Sequence, residues 1–142
     1  MAQLNAYLFF DGTCADAMRF YERTLGGKLD LMSQADSPEA SAAPPDSADK
    51  TMHARLVLDD GGGTLMASDW IAEQPYEAMK GFSLALAYSA VPEAQKVYDA
   101  LAEGGQETMP MQKTFFAESF GMLIDRFGTP WMISAGMAGA QA

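Results

Sequence analysis

Asp16-Ala17-Met18-Arg19-Phe20-Tyr21-Glu22, with Leu25-Gly26-Gly27 behind it, returns later in the chain as Glu93-Ala94-Gln95-Lys96-Val97-Tyr98-Asp99, with Leu101 and Gly104-Gly105 behind it. Each copy follows an apolar, strand-like run, Leu4 to Phe10 and Phe82 to Tyr88. Each also leads into a hairpin-like segment. The first runs from Arg55-Leu56-Val57-Leu58 to Leu65-Met66-Ala67-Ser68, the second from Met122-Leu123-Ile124 to Trp131-Met132-Ile133-Ser134. A strand–helix–hairpin unit of this size cannot bury both faces of its sheet alone, so two copies are expected to share one core. The repeat thus predicts a single α+β domain over residues 1–142. Module one covers about 3–69 and module two about 81–135, related by pseudo-twofold symmetry.

Asn5, Tyr7 and Phe9 alternate with Leu4, Ala6, Leu8 and Phe10, the period of a strand. Asp11-Gly12-Thr13 reads as a turn, and Thr13 or Asp16 can cap the helix that follows. Ala17, Phe20, Tyr21 and Leu25 form one helical stripe. Gly26-Gly27 ends it, because glycine reaches the left-handed conformation of a C-terminal cap. Helices are expected over 13–25 and 92–102, with Pro92 in the first turn, where its missing N–H costs nothing. Lys28 to Met32 is a short strand. In Thr51 to Leu58, His53, Arg55 and Val57 take one face and Met52, Ala54, Leu56 and Leu58 the other. Asp59-Asp60-Gly61-Gly62-Gly63 lies between two strands and lacks the G-x-x-x-x-G-K-[ST] pattern, so it reads as a hairpin turn and not a phosphate loop. Residues 33–50 contain no aromatic or branched apolar side chain and have little to bury against their ordering entropy. They read as a mobile insertion in the first module, with a lid over a cavity as the functional alternative.

Composition bounds the function. A formal charge of −10, from 9 basic and 19 acidic residues, argues against nucleic acid or an anionic membrane as partner. No apolar run approaches the ~20 residues that span a bilayer. Met1-Ala2-Gln3-Leu4-Asn5 has no cationic segment, so this end reads as the lead into a first strand and not as a signal peptide, with a cytoplasmic location expected. The single cysteine, Cys14, excludes an internal disulfide and suits a reducing compartment. The 11 methionines serve either as core gap-fillers or as an adaptable apolar ligand surface. Together with 2 tryptophans and 8 phenylalanines they exceed what one small core hides, which favours a homodimer.

The inventory removes most catalytic constellations. One histidine forbids two-histidine metal sites, and one cysteine forbids thiolate clusters. A Cys14–His53 nucleophile–base pair is conceivable, but a small buried thiol suits a turn entering a helix better. His53 and Arg55 leave one strand face and could hold an anionic ligand. The alternative is a histidine bonded to backbone beside an arginine paired with an acid. Asp69 and Asp125 read first as turn-capping carboxylates, and Trp70 and Trp131 as core or interface anchors.

The ordered string Tyr7-Leu8-Phe9-Phe10-Asp11-Gly12, Ala17-Met18-x-Phe20-Tyr21, Leu25-Gly26-Gly27, Met52-His53-Ala54, Leu65-Met66-Ala67-Ser68-Asp69, Gly104-Gly105, Phe120-Gly121 and Asp125-Arg126-Phe127-Gly128-x-x-Trp131 resembles the PhnB-like branch of the glyoxalase/bleomycin-resistance/extradiol dioxygenase (vicinal oxygen chelate) superfamily. The match spans nearly the whole chain outside 33–50 and the tail from Gly136. It implies paired βαβββ modules, each an incurved mixed sheet around a cavity, usually in a homodimer. The superfamily's metal enzymes draw ligands from the first and last strand of each module. The matching positions here are Asn5, Met66, Ser83 and Met132, none of them imidazole, carboxylate or thiolate. The resemblance therefore does not carry glyoxalase I or dioxygenase chemistry across, and no metal or other cofactor is called for. Branch members are often named after 3-demethylubiquinone methyltransferases, yet no stretch here resembles the glycine-rich loop of an S-adenosylmethionine site. The expected function is binding of a small molecule in the sheet cavity, at candidate residues Tyr7, Phe9, His53, Arg55, Met66, Asp69, Ser83 and Met132, with Ala85 beside them. The alternative is a lyase or isomerase-type enzyme built around His53, Asp69 and Asp125.

Overall fold

The computed structural model describes residues 2–33, 35–36 and 49–137. The expectations for most of the 33–50 insertion and for the end of the tail lie outside the described residues. The chain divides into two compact units, residues 1–78 and 79–142.

The first unit runs β1 (Ala6–Phe10), α1 (Cys14–Leu25), β2 (Lys28–Ser33), β3 (Thr51–Val57) and β4 (Thr64–Asp69). Its four strands lie in the order β1-β4-β3-β2. β1 pairs parallel with β4, and the other pairings are antiparallel. The second unit repeats the plan with β5 (Leu84–Tyr88), α2 (Val91–Ala102), β6 (Gln106–Gln112), β7 (Ala117–Ile124) and β8 (Pro130–Met137). Its order is β5-β8-β7-β6, with β5 parallel to β8. The fold class expected from the repeat is thus found: α+β, with two four-stranded mixed sheets and one helix on each.

Two strands start later than their apolar runs suggest. Leu4 is fully exposed and precedes β1, and Phe82, 44% exposed, precedes β5. A strand exists only where a neighbour supplies its hydrogen bonds. The parallel partners of β1 and β5 become available at Ala6↔Leu65 and Leu84↔Trp131.

The core of each unit lies between its helix and one sheet face. In the first, Cys14, Ala17, Met18, Phe20 and Tyr21 of α1 are buried, as are Leu8, Phe10, Ala54, Leu56, Leu65 and Ala67 of the strands. Each fully buried large apolar side chain contributes about 1.5–3 kcal/mol. In the second, Ala94, Val97, Tyr98 and Leu101 are buried together with Leu123, Trp131, Ile133 and Ala135. The Tyr98 hydroxyl lies 2.9 Å from the carbonyl oxygen of Met109 and 3.1 Å from that of Met122. Its ring needs a glycine beneath it, since a Cβ on Gly121 would stand 2.8 Å from Tyr98 Cε2.

The two Gly-Gly doublets do the same work in both units. Gly26 (φ 83°) and Gly104 (φ 76°) turn the chain out of the helix through the left-handed region. The next residue then passes so close to the neighbouring strand that a Cβ on Gly27 would collide with the Val57 carbonyl oxygen, and one on Gly105 with that of Ile124. Overpacking of this kind costs about 1–3 kcal/mol. Gly27→Ala and Gly105→Ala should each lower the unfolding free energy by about that amount in urea titrations. A wild-type midpoint in either variant would show that the close approach is not needed.

Candidate functional site

Alternation along the strands sorts the candidate residues between two sheet faces. β1 and β3 expose one face and bury the other, and cross-strand register carries the division across the sheet. Tyr7 stands beside Met66, Met66 beside Arg55, and Arg55 beside Asp30. This row lies on the face turned away from α1. Phe9 shares that face beside Ser68, and His53 shares it beside Met32.

On this face the rings form a chain of contacts. The His53 and Tyr7 centroids are 6.0 Å apart, those of Tyr7 and Phe9 5.2 Å. Phe9 meets Trp70 edge-to-face at 5.3 Å and 87°. Such tilted and edge contacts between aromatic rings add about 0.5–1.5 kcal/mol beyond area burial. The Tyr7 hydroxyl lies 3.4 Å from His53 Nδ1, a long hydrogen bond. Tyr7 and Phe9 nevertheless remain 40% and 44% exposed. The segment after β4 braces the array: Trp70 Nε1–H donates to the Gln74 carbonyl at 2.7 Å, and the Tyr76 hydroxyl donates to the Phe9 carbonyl at 3.0 Å. β1 is an edge strand, so the Phe9 carbonyl faces no further strand.

Five sequence-predicted residues therefore come together here: Tyr7, Phe9, His53, Arg55 and Met66. Asp69 does not join them. It follows Leu65 and Ala67 on the α1 side, is 5% exposed, and pairs in register with Phe10. Its carboxylate accepts the Cys14 N–H on Oδ1 at 2.9 Å and the Thr51 N–H on Oδ2 at 2.8 Å. Asp69 thereby takes over the role expected of Thr13, which occupies the N-cap of α1 without a side-chain cap bond. Ser83 and Met132 belong to the second unit. There Ser83 is half-buried just before β5, and Met132 lies between Ala85 and Met122. Asp125 serves its own hairpin, accepting the N–H groups of Phe127 (2.8 Å) and Thr129 (3.1 Å) and the Trp131 indole N–H (2.8 Å). Sequence reasoning passed over Tyr76 and set Trp70 apart from the aromatic face. The period-2 step from Met66 through Ser68 reaches Trp70 and was the signal available.

The superfamily's metal positions carry an amide and a thioether in the first unit (Asn5, Met66) and a hydroxyl and a thioether in the second (Ser83, Met132). These neutral donors do not fit a zinc, nickel or iron ion of that type. Among the described residues, no three His, Cys, Asp or Glu side chains gather where they could hold an ion.

A family model described as 3-demethylubiquinone-9 3-methyltransferase matches residues 2–134. The chain belongs to this family. Protein YjdN of Escherichia coli (strain K12) is 34% identical over 142 residues, spanning 92% of this chain and 93% of its own. The crystal structure of protein PA1353 from Pseudomonas aeruginosa is similar at 45% identity and a TM-score of 0.88, covering 96% of this chain and 98% of that one. A glyoxylase/bleomycin resistance protein/dioxygenase domain from Frankia sp. EAN1pec shares the fold at 16% identity, with a TM-score of 0.62 and coverage of 96% and 98%. The PhnB-like resemblance read from the sequence and the glyoxalase/bleomycin-resistance-like fold it implied both stand.

Cys14 and His53 form no nucleophile–base pair. Cys14 is fully buried on the α1 side, and His53 leaves the opposite face. Burial, with the Asp69 carboxylate nearby, pushes the Cys14 thiol up to about 12 from 9.0. In the second unit, burial and the Glu107 carboxylate raise Tyr98 from 10.0 to about 12. The unfolded chain gives up both protons first, so the folded state holds more protons between about pH 9 and 12 and loses stability as pH rises through that window. Urea midpoints should fall as the pH is raised above about 9. Cys14→Ala should soften the first part of the fall, and folded Cys14 should resist iodoacetamide at pH 8. Rapid alkylation without unfolding would contradict this account.

Proposed function

We propose that this protein binds a small molecule on the face of the first unit turned away from α1, with its own side chains making the polar contacts. The observation that carries this reading is the ring array His53–Tyr7–Phe9–Trp70, partly exposed, with the exposed Arg55 one strand beyond Met66. Apolar and aromatic walls with a few polar groups are the usual furniture of a small-molecule site. The lyase or isomerase alternative needs His53 beside Asp69. Those side chains leave opposite faces of the sheet, and both Asp69 oxygens are engaged with backbone N–H groups, which gives that reading no shared site. A methyltransferase activity has no support beyond the family's descriptive name.

The test is a thermal-shift screen of small metabolites and divalent metals, since a ligand that binds only the folded state raises its stability, by about 2.7 kcal/mol at a hundredfold excess over Kd. A metabolite hit is expected, and His53→Ala and Arg55→Ala should abolish its shift while leaving the melting temperature of the free protein near wild type. A hit untouched by both variants places binding elsewhere. A metal hit that brings glyoxalase or dioxygenase turnover overturns the reading.

The protein also reads as a cytoplasmic homodimer. The one cysteine in the chain supports a reducing compartment, and among the described residues no helix is long and apolar enough to cross a membrane. The 11 methionines, 2 tryptophans and 8 phenylalanines support a second copy as cover. Light scattering at micromolar concentration should give twice the 15.3 kDa chain mass; a monomer mass at all concentrations would refute pairing.

A further inference from the structure

Resting on the small-molecule reading above, we propose that the ligand is a planar aromatic anion, a single ring bearing a carboxylate. The ring lies against Tyr7 and Phe9, and the carboxylate is taken by Arg55 and His53.

The chain is strongly acidic, at −10 overall. Among the described residues, the charged side chains that share this face by register are Lys28 and Arg55 against Asp30, which stands beside Arg55, and His53 lies two residues from Arg55 on the same strand. A locally positive face on an acidic protein selects an anion and turns a cation away.

The Tyr7 hydroxyl meets His53 through Nδ1, which leaves Nε2 on the far side of the ring. Among the described residues, neither His53 Nε2 nor the Arg55 guanidinium has a hydrogen-bond or ion-pair partner. The guanidinium offers N–H groups that match a carboxylate in a two-pronged fork, and His53 stands two residues away on the same strand face.

Tyr7 and Arg55 flank Met66 on neighbouring strands, so their backbones are two strand spacings apart, about 10 Å. One ring with a carboxylate spans from the face of Tyr7 to the reach of an arginine side chain. Met66 lies beneath as a deformable floor.

The second unit supplies the control. Its corresponding row is Ala85–Met132–Met122, and two residues along stand Ala87, Ser134 and Phe120. The central Met and Ser recur as Met66 with Ser68 and Met132 with Ser134, while Ala85, Ala87, Met122 and Phe120 stand where the first unit has Tyr7, Phe9, Arg55 and His53. The βαβββ topology therefore forms without them.

Calorimetric titration with benzoate, benzamide, cyclohexanecarboxylate and benzylamine tests the proposal. Benzoate should bind at least tenfold more tightly than the other three. Arg55→Ala should remove its advantage over benzamide, and Tyr7→Leu/Phe9→Leu its advantage over cyclohexanecarboxylate, each variant keeping the wild-type circular dichroism spectrum. His53→Gln, which keeps an N–H donor, should retain more affinity than His53→Ala. Equal binding of benzoate and benzamide to the wild type overturns anion selection and leaves small-molecule binding standing. No binding of any probe, with a screening hit that His53→Ala abolishes, overturns the aromatic-anion class alone. A hit indifferent to both His53→Ala and Arg55→Ala overturns the binding face itself, and the proposal with it.

Discussion

The Asp69 carboxylate holds three separate pieces of chain at one point. It closes the last strand of the first unit, and its two oxygens take the N–H that opens α1 and the N–H that opens β3. Charge-assisted bonds from a carboxylate to backbone N–H groups are among the stronger polar contacts a protein makes. They also answer a problem that burial creates, because the first N–H groups of a helix have no partner within it. Among the described residues no buried side-chain nitrogen or oxygen lacks a partner. With this knot tied, α1 lies over the side of the sheet that carries Leu8, Phe10, Ala54 and Leu56. Tyr7, Phe9, His53 and Arg55 are left on the other side by the period of the strand alone.

The two units separate what the architecture requires from what it merely carries. Both spend a glycine on the left-handed turn after the helix and a second on the close pass under the neighbouring strand. Both bury a tyrosine at matching helix positions, Tyr21 and Tyr98. Their polar knots differ. The first unit closes with Asp69, where the second has Ala135 beside Tyr88; the second anchors its hairpin with Asp125, where the first has a single 3-10 turn at Asp59–Gly61. Helix-side packing is shared, and the sheet faces opposite the helices differ, with rings and charges in one unit and alanine, methionine and phenylalanine in the other.

The elements legible in the sequence were those whose cause is local. Helix ends were readable because Gly26, Gly104 and Pro92 act through their own backbone geometry, and α1 and α2 fall within a residue of expectation. The shared face of His53 and Arg55 was readable because alternation is a property of the strand itself. Strand starts were less so: Leu4 and Phe82 look like strand residues, but a parallel strand begins where a partner far along the chain begins. The role of Asp69 was hidden for the same reason, since its two partners lie 55 and 18 residues away. A side chain caps the helix, but it comes from the end of the fourth strand and not from Thr13. Trp70 was readable in principle, one alternation beyond Ser68, yet its meeting with Phe9 depends on β1 and β4 lying side by side.

The placement of the two tryptophans gives each unit its own optical label. Trp70 is half-buried, with its indole N–H on the Gln74 carbonyl and its ring against Phe9. Trp131 is almost wholly enclosed, with its indole N–H on the Asp125 carboxylate. One indole borders solvent and the other sits beside a fixed negative charge in a dry interior, so their emission should differ in colour and in access to quenchers. Because they are the only two in the chain, replacing either leaves a single emitter that reports on one unit alone. The order in which the halves of this duplicated fold melt, or whether they melt together, can then be watched without adding a dye.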